Sequence, residues 1–136
     1  TLLAQVRLAD VVLDCTDNLA TRLAINAACV QANKPLVSAA AIRFEGQIGV
    51  FHTDTHSPCY QCFSGKFAEL SQTCSTNGVL GPVLGVLGSM QALEAIKLLT
   101  HIGKLLSGRM LFFDALSMEW TTIRVPKRAD CPVCAK

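Results

Sequence analysis

Two C-x-x-C pairs constrain this chain more than any other feature. They are Cys59/Cys62, in Pro58-Cys59-Tyr60-Gln61-Cys62, and Cys131/Cys134, in Cys131-Pro132-Val133-Cys134. One such pair can grip one face of a tetrahedral ion, and a second pair completes four ligands, which suits Zn²⁺. The 68 residues between Cys62 and Cys131 exceed zinc-ribbon spacing, so the ion is expected to staple a mid-chain loop to the C-terminal segment. Four sulfur ligands leave no open position for water, which makes the expected site structural. A redox dithiol and unrelated free thiols are the competing readings. A redox pair belongs at a helix N-terminus, and neither Pro58-Cys59 nor Asp130-Cys131-Pro132 reads as the start of a helix.

The remaining cysteines fit the same setting. Seven cysteines cannot all pair as disulfides, and Cys15, Cys29 and Cys74 stand alone. With no charged n-region and apolar h-region at its start, the sequence is expected to work in a reducing compartment, the cytoplasm. Charged residues make up only 16% and apolar residues 51% of the 136 positions. So low a charge fraction argues against disorder and points to burial of surface, including burial against a partner. The net charge of +2 comes with no long basic run, so neither nucleic acid nor a polybasic membrane anchor is expected as a partner. No uninterrupted apolar stretch reaches the roughly 18 residues of a membrane span.

The pattern along the chain reads as an α/β fold. Residues 8–14 hold the run Asp10-Val11-Val12-Leu13-Asp14, expected as a buried parallel strand. A helix follows, with Leu19, Leu23, Ala27 and Val30 on one face and Asp17 or Asn18 as its cap. Residues 36–42 and 46–52 read as two strands joined as a hairpin through residues 43–45. Residues 53–77 show no apolar period and are expected as a long functional loop. Gly81-Pro82 then opens a long helix. Val83, Val86, Leu87, Met90, Leu93 and Ile96 form its apolar side, and Gly81, Gly85, Gly88, Ala92 and Ala95 a small stripe for close approach. Residues 110–114 and 120–125 close the pattern as two strands, read as antiparallel, after a turn bracketed by Gly103 and Gly108. This order suits the second half of a Rossmann-like nucleotide-binding fold with a mixed sheet.

Beyond the thiols, the chemistry gathers at Asp14-Cys15-Thr16-Asp17-Asn18. Ligands of open α/β sheets bind beyond the carboxyl ends of the strands, and a helix N-terminus favours anions. Asp17 would repel a bare phosphate there but suits one bridged by Mg²⁺. On physics alone, a plain N-cap is the better reading, and with neither G-x-G-x-x-G nor a P-loop the residues by themselves do not mark a nucleotide enzyme. Cys74, in the loop before the long helix, could be activated by the helix dipole, although a lone cysteine is more often structural. His52, His56 and His101 read as solvated or core residues, with His56 near enough to Cys59 to reach a metal. Arg22 and Arg43 give only a weak phosphate signal.

These residues resemble the HesA/MoeB/ThiF family of ubiquitin-activating-type adenylyltransferases, nucleotidyltransferases that activate sulfur-carrier proteins. The resemblance rests on ordered segments spread almost end to end. They are Leu13-Asp14-Cys15-Thr16-Asp17-Asn18 with Thr21-Arg22, then Pro35 through Arg43 with Glu45-Gly46-Gln47, then Pro58-Cys59-Tyr60-Gln61-Cys62. The last two are Gly85-Val86-Leu87-Gly88-Ser89-Met90-Gln91-Ala92-Leu93-Glu94-Ala95-Ile96-Lys97 and Cys131-Pro132-Val133-Cys134.

The resemblance implies ATP-dependent adenylylation of the C-terminal glycine of a ubiquitin-like sulfur carrier of the ThiS or MoaD type, in thiamine or molybdopterin biosynthesis. It implies Asp17 as the Mg·ATP aspartate with Asn18 beside it, and Cys59, Cys62, Cys131 and Cys134 as structural zinc ligands. Cys74 matches a loop cysteine that carries a persulfide-linked carrier conjugate in thiamine-type members and is dispensable in molybdopterin-type ones. A homodimer is implied as well. Residues 1–136 correspond to the C-terminal part of a single adenylation domain, without the Gly-rich nucleotide-binding half, so this chain alone is expected not to complete an ATP site. The alternative is a non-catalytic, zinc-stapled module for carrier binding or dimerisation. Arg43-Phe44-Glu45-Gly46-Gln47 leans towards the molybdopterin type and Ile25-Asn26-Ala27-Ala28-Cys29-Val30 towards the thiamine type.

Overall fold

The computed structural model describes residues 1–67 and 78–135. In chain order the elements are α1 (Leu2–Leu8), β1 (Val12–Asp14), α2 (Leu19–Ala32), β2 (Leu36–Ile42) and β3 (Glu45–Phe51). There follow α3 (Tyr60–Phe67), α4 (Gly81–Thr100), β4 (Arg109–Asp114) and β5 (Glu119–Arg124). The five strands form one mixed sheet in the order β1-β2-β3-β4-β5. β1 runs parallel to β2, and the other neighbours are antiparallel. The α/β class and the mixed sheet are as expected.

Alternation along β2 and β3 builds two cores. On one face Leu36 and Phe51 meet Val6 of α1, Ile25 and Cys29 of α2, and Tyr60 and Phe63 of α3. On the other, Ala39, Ala41 and Ile48 receive Val83 and Leu87 of α4. Burying each of those two α4 side chains is worth about 1.5–3 kcal/mol. Gly46 makes this approach possible, because a Cβ there would lie 2.5 Å from Leu87 Cδ1. The β2–β3 hairpin pairs Ile42 with Glu45, leaving Arg43 and Phe44 as its turn, with Arg43 left-handed at φ 54°. Gly103 and Gly108 also take positive φ, as turn residues do without strain.

Several expectations need correction. The strand expected over residues 8–14 is only three residues long and lies at the sheet edge, with Leu13 38% exposed; Leu8 ends α1 instead, and residues 9–11 join the two. The buried face of α2 is centred on Arg22, Ile25, Asn26, Ala28 and Cys29, and Ala27 points to solvent. Polar Arg22 and Asn26 go inward because each finds buried partners, which apolar spacing does not register. Residues 53–77 contain α3, so Cys59 directly precedes a helix and the ground for setting aside a redox dithiol falls away. That helix is fixed by tertiary contacts: Tyr60 meets Phe51 edge-on at 5.6 Å, and Phe63 meets Phe112 of β4 at 6.2 Å.

α4 also differs from expectation. Its buried face is Val83, Leu87, Gln91, Glu94 and Ala95, while Val86, Leu93 and Ile96 are exposed. Among the described residues, the small stripe meets nothing within 4 Å of Gly81, Gly85 or Gly88. Among the described residues, α4 is the one helix long and apolar enough to cross a membrane. Here it is a sheet-packing helix, with Glu94 buried, paired to Lys97 and accepting the Leu106 N–H at 2.8 Å.

Candidate functional site

Cys59, Cys62, Cys131 and Cys134 converge as the spacing led one to expect. All four are buried, and their sulfurs lie within 4.8 Å of one another. Cys59 Sγ is 3.7 Å from Cys131 Sγ, and Cys62 Sγ is 3.5 Å from Cys134 Sγ. Disulfide sulfurs sit about 2.05 Å apart, so these are not bonded pairs. Four sulfurs at ~2.3 Å from a tetrahedral Zn²⁺ would be ~3.8 Å apart, close to the spacing found. The donor set therefore fits a metal of that kind. Burial raises the Cys131 thiol, but the N–H groups of Cys134 and Val133, with the Cys134 and Cys59 thiols, more than offset it and bring it to about 7. Cys59 and Cys134 are held above the ordinary thiol value, chiefly by burial. One easily formed thiolate, at Cys131, beside reluctant thiols at Cys59 and Cys134 is a set that a cation would complete. His56 is no part of the group: its backbone N–H donates to Asp54 Oδ1 at 2.7 Å and its ring is exposed.

Asn26 holds the first knuckle in place. This fully buried side chain accepts the Tyr60 N–H at 2.8 Å and donates to Cys59 Sγ at 3.5 Å. A hydrogen bond to a ligating sulfur fixes its orientation and moderates its charge. One helical turn earlier, Arg22 occupies the same face of α2. α2 thus joins the thiol cluster to a second constellation at the carboxyl end of β1.

There, Asn18 is the cap of α2: its Oδ1 accepts the Thr21 N–H at 2.8 Å. Asp17 is left exposed and, among the described residues, receives only the Asn18 side-chain amide at 3.4 Å. The turn before it is tightly bound. Buried Asp14 accepts from Thr16 N (2.9 Å) and Thr16 Oγ1 (2.6 Å). Arg22 lies 3.6 Å from Asp14 Oδ2 and donates to the Thr16 carbonyl and to Ser38 Oγ. Arg22 is therefore a buried partner of Asp14 rather than a surface cation facing a phosphate. Gln91 reaches in from α4, donating from Nε2 to the carbonyls of Asp14 (2.9 Å) and Val37 (3.2 Å).

Sequence reasoning missed Arg22, Asn26, Gln91 and Glu94 as structural polar residues. A signal existed in α4, where positions 83, 87, 91, 94 and 95 share a helical face with polar members among apolar ones. Cys29 is buried, and burial reinforced by the Asp14 charge pushes its thiol up to about 12, which leaves it inert. Cys74 lies outside the described residues.

The sequence profile described as the ThiF family matches residues 2–133. The molybdopterin-synthase adenylyltransferase of Escherichia coli strain K12 is 47% identical over 127 residues, covering 93% of this chain and 51% of its own length. The sulfur carrier protein ThiS adenylyltransferase of the same organism is 48% identical over 126 residues, covering 93% and 50%. The adenylyltransferase and sulfurtransferase MOCS3 of Bos taurus is 48% identical over 139 residues, covering 100% and 30%. The chain thus spans about half, or less, of the length of these relatives. Identities this even do not separate the thiamine from the molybdopterin type. Among solved structures, E. coli MccB superposes with a TM-score of 0.75 at 17% identity over 94% of this chain and 40% of its own, a likeness of fold.

Proposed function

The chain belongs to the ThiF family, and on that premise we propose that it is the C-terminal part of an adenylation domain acting on a ubiquitin-like sulfur carrier of the ThiS or MoaD type. In the proposed reaction, a C-terminal glycine carboxylate attacks the α-phosphate of ATP. A carboxyl–phosphate bond forms, the α–β phosphoanhydride breaks and pyrophosphate leaves, giving an acyl-adenylate. A carboxylate is a weak nucleophile, so catalysis rests on alignment and charge neutralisation.

The observation that carries this reading is the freedom of Asp17. Asn18 already caps α2, so Asp17 has no capping duty at the carboxyl end of β1, where open α/β sheets take their ligands. Asp17 would hold Mg²⁺ and Asn18 would stand beside the nucleotide. Bound Mg²⁺ supplies charge neutralisation at the phosphates. Cys59, Cys62, Cys131 and Cys134 would hold a structural Zn²⁺, with no part in the chemical step. Four clustered, unbonded thiols suit the cytoplasm. Cys74 is assigned no step.

We further propose that the parent protein is a homodimer. The outer face of α4 supports this, since Leu84, Val86, Leu93, Ile96 and Leu99 are all exposed beside open Gly85 and Gly88.

Asp17→Asn in the complete protein tests the adenylylation reading. The change removes charge while nearly keeping shape, and should lower carrier-dependent ATP–pyrophosphate exchange about 10²-fold or more with an unchanged melting temperature. Unchanged exchange would overturn the proposal. Wild-type protein without any exchange would favour the non-catalytic carrier-binding module instead.

A further inference from the structure

We infer that Gln91 is a positioning residue through which α4 fixes the turn that presents Asp17. The inference rests on the adenylyltransferase reading above. Gln91 is 4% exposed on the face of α4 that packs against the sheet, where apolar Val83 and Leu87 precede it. Burying a side-chain amide costs free energy unless its donors and acceptor are all engaged. Here they are. Nε2 donates to Asp14 O and to Val37 O, and Oε1 accepts from Cys15 Sγ at 3.5 Å. A Met or Leu of similar volume would fill the space with no such demand. What the amide adds is a fixed geometry where β1 leaves β2.

The hold continues from there to the residue before Asp17. Asp14 Oδ1 takes both the N–H and the hydroxyl of Thr16. Arg22 takes the Thr16 carbonyl and lies against Asp14 Oδ2. Asp14 O, Cys15 Sγ, Thr16 N and Thr16 O are thus all engaged, while Asp17 itself stays exposed. A short chain held at these four groups, followed by one exposed carboxylate, is how a ligand-facing group is kept in register. Misplacing such a group by ~1 Å can cost about 10²-fold in rate. Gln91 acts through Asp17 and touches no substrate.

The test compares wild-type complete protein with Gln91→Met and Asp17→Asn. The first readout needs no nucleotide: hydrogen exchange at the Thr16 and Asp17 amides. The second is the Mg²⁺ concentration giving half-maximal carrier-dependent pyrophosphate exchange, which does not depend on the fraction of protein folded. For Gln91→Met, Thr16 amide exchange should rise about tenfold and the half-saturating Mg²⁺ concentration about tenfold, with four-thiol metal content kept. A merely structural glutamine would lower the melting temperature and leave the Mg²⁺ dependence unmoved, which would overturn the inference. If Gln91→Met does not fold, Thr16→Val removes the hydroxyl bond to Asp14 and should move both readouts the same way; no movement overturns the inference equally. Loss of exchange in Asp17→Asn with wild-type behaviour in Gln91→Met sinks the role of Gln91 alone. Exchange insensitive to Asp17→Asn sinks the functional reading, and this inference with it.

Discussion

The His52 ring is half-buried after β3, its Nε2–H donating to Asn33 Oδ1 at 3.1 Å while Nδ1 is buried with no hydrogen-bond partner among the described residues. Burial, aided by the Lys127 charge, outweighs the pull of Asp54 and holds its pKa below the ordinary histidine value. The fold thus favours the neutral ring. That contribution is complete above the unfolded value of about 6.5 and is lost as pH falls from there through the lowered folded value. Melting temperature should therefore drop between pH 7 and pH 5, and His52→Gln, which keeps a donor for Asn33, should drop less. Equal acid sensitivity in both would show that His52 is not involved. At this scale the sequence speaks unevenly. The four-thiol cluster was legible because metal chemistry dictates such spacing, and the cap narrowed to Asp17 or Asn18. The buried roles of Arg22, Asn26 and Gln91 were not, because a polar residue reads as surface until its tertiary partners are known. Asn26 finds its partners at Cys59 and Tyr60, more than thirty residues away.

Elements were legible where their own periodicity or turn chemistry sufficed. The β2–β3 hairpin, the start of α4 at Gly81-Pro82 and the antiparallel β4–β5 pair all follow local signals. α3 escaped because eight residues carry little intrinsic helical stability, and its order comes from Asn26, Phe51 and Phe112. The orientation of α4 escaped because it is apolar nearly all round, so composition could not choose which face meets the sheet. That choice gives two glycines opposite responses to the same change. Gly46→Ala would drive its Cβ to 2.5 Å from Leu87 Cδ1, and overpacking of this kind typically destabilises by about 1–3 kcal/mol. Gly85→Ala adds a methyl to open space within α4 and should stabilise by about 1 kcal/mol through helix propensity. Denaturant titrations of the dilute chain decide both signs. A destabilised Gly85→Ala would show that the exposed stripe is covered even at low concentration.

Across the whole molecule, the thiol cluster ties α3 to the C-terminal turn, and the other contacts of that turn are sparse among the described residues. Lys127 Nζ donates to Thr55 O at 2.8 Å, the Arg128 N–H approaches Cys62 Sγ at 3.5 Å, and Val125 is buried in the sheet core. An ion held by Cys59, Cys62, Cys131 and Cys134 closes a loop of about 70 residues that contains α4, β4 and β5. By chain entropy alone, such a cross-link is worth on the order of 4 kcal/mol. Chelation should therefore lower the melting temperature by about 10–15 °C and open the C-terminal turn to proteolysis before the sheet. Elemental analysis should find about one Zn²⁺ per chain in protein purified without added metal, and Cys131→Ser should reproduce the chelated state. Because the expected site is closed to water, readded Zn²⁺ should restore stability rather than contribute a chemical step. A metal-free chain that melts at the same temperature would mean that the four thiols pack as a buried cluster in their own right. In that case the helix start at Cys59 would bring the redox dithiol back as the first reading to test.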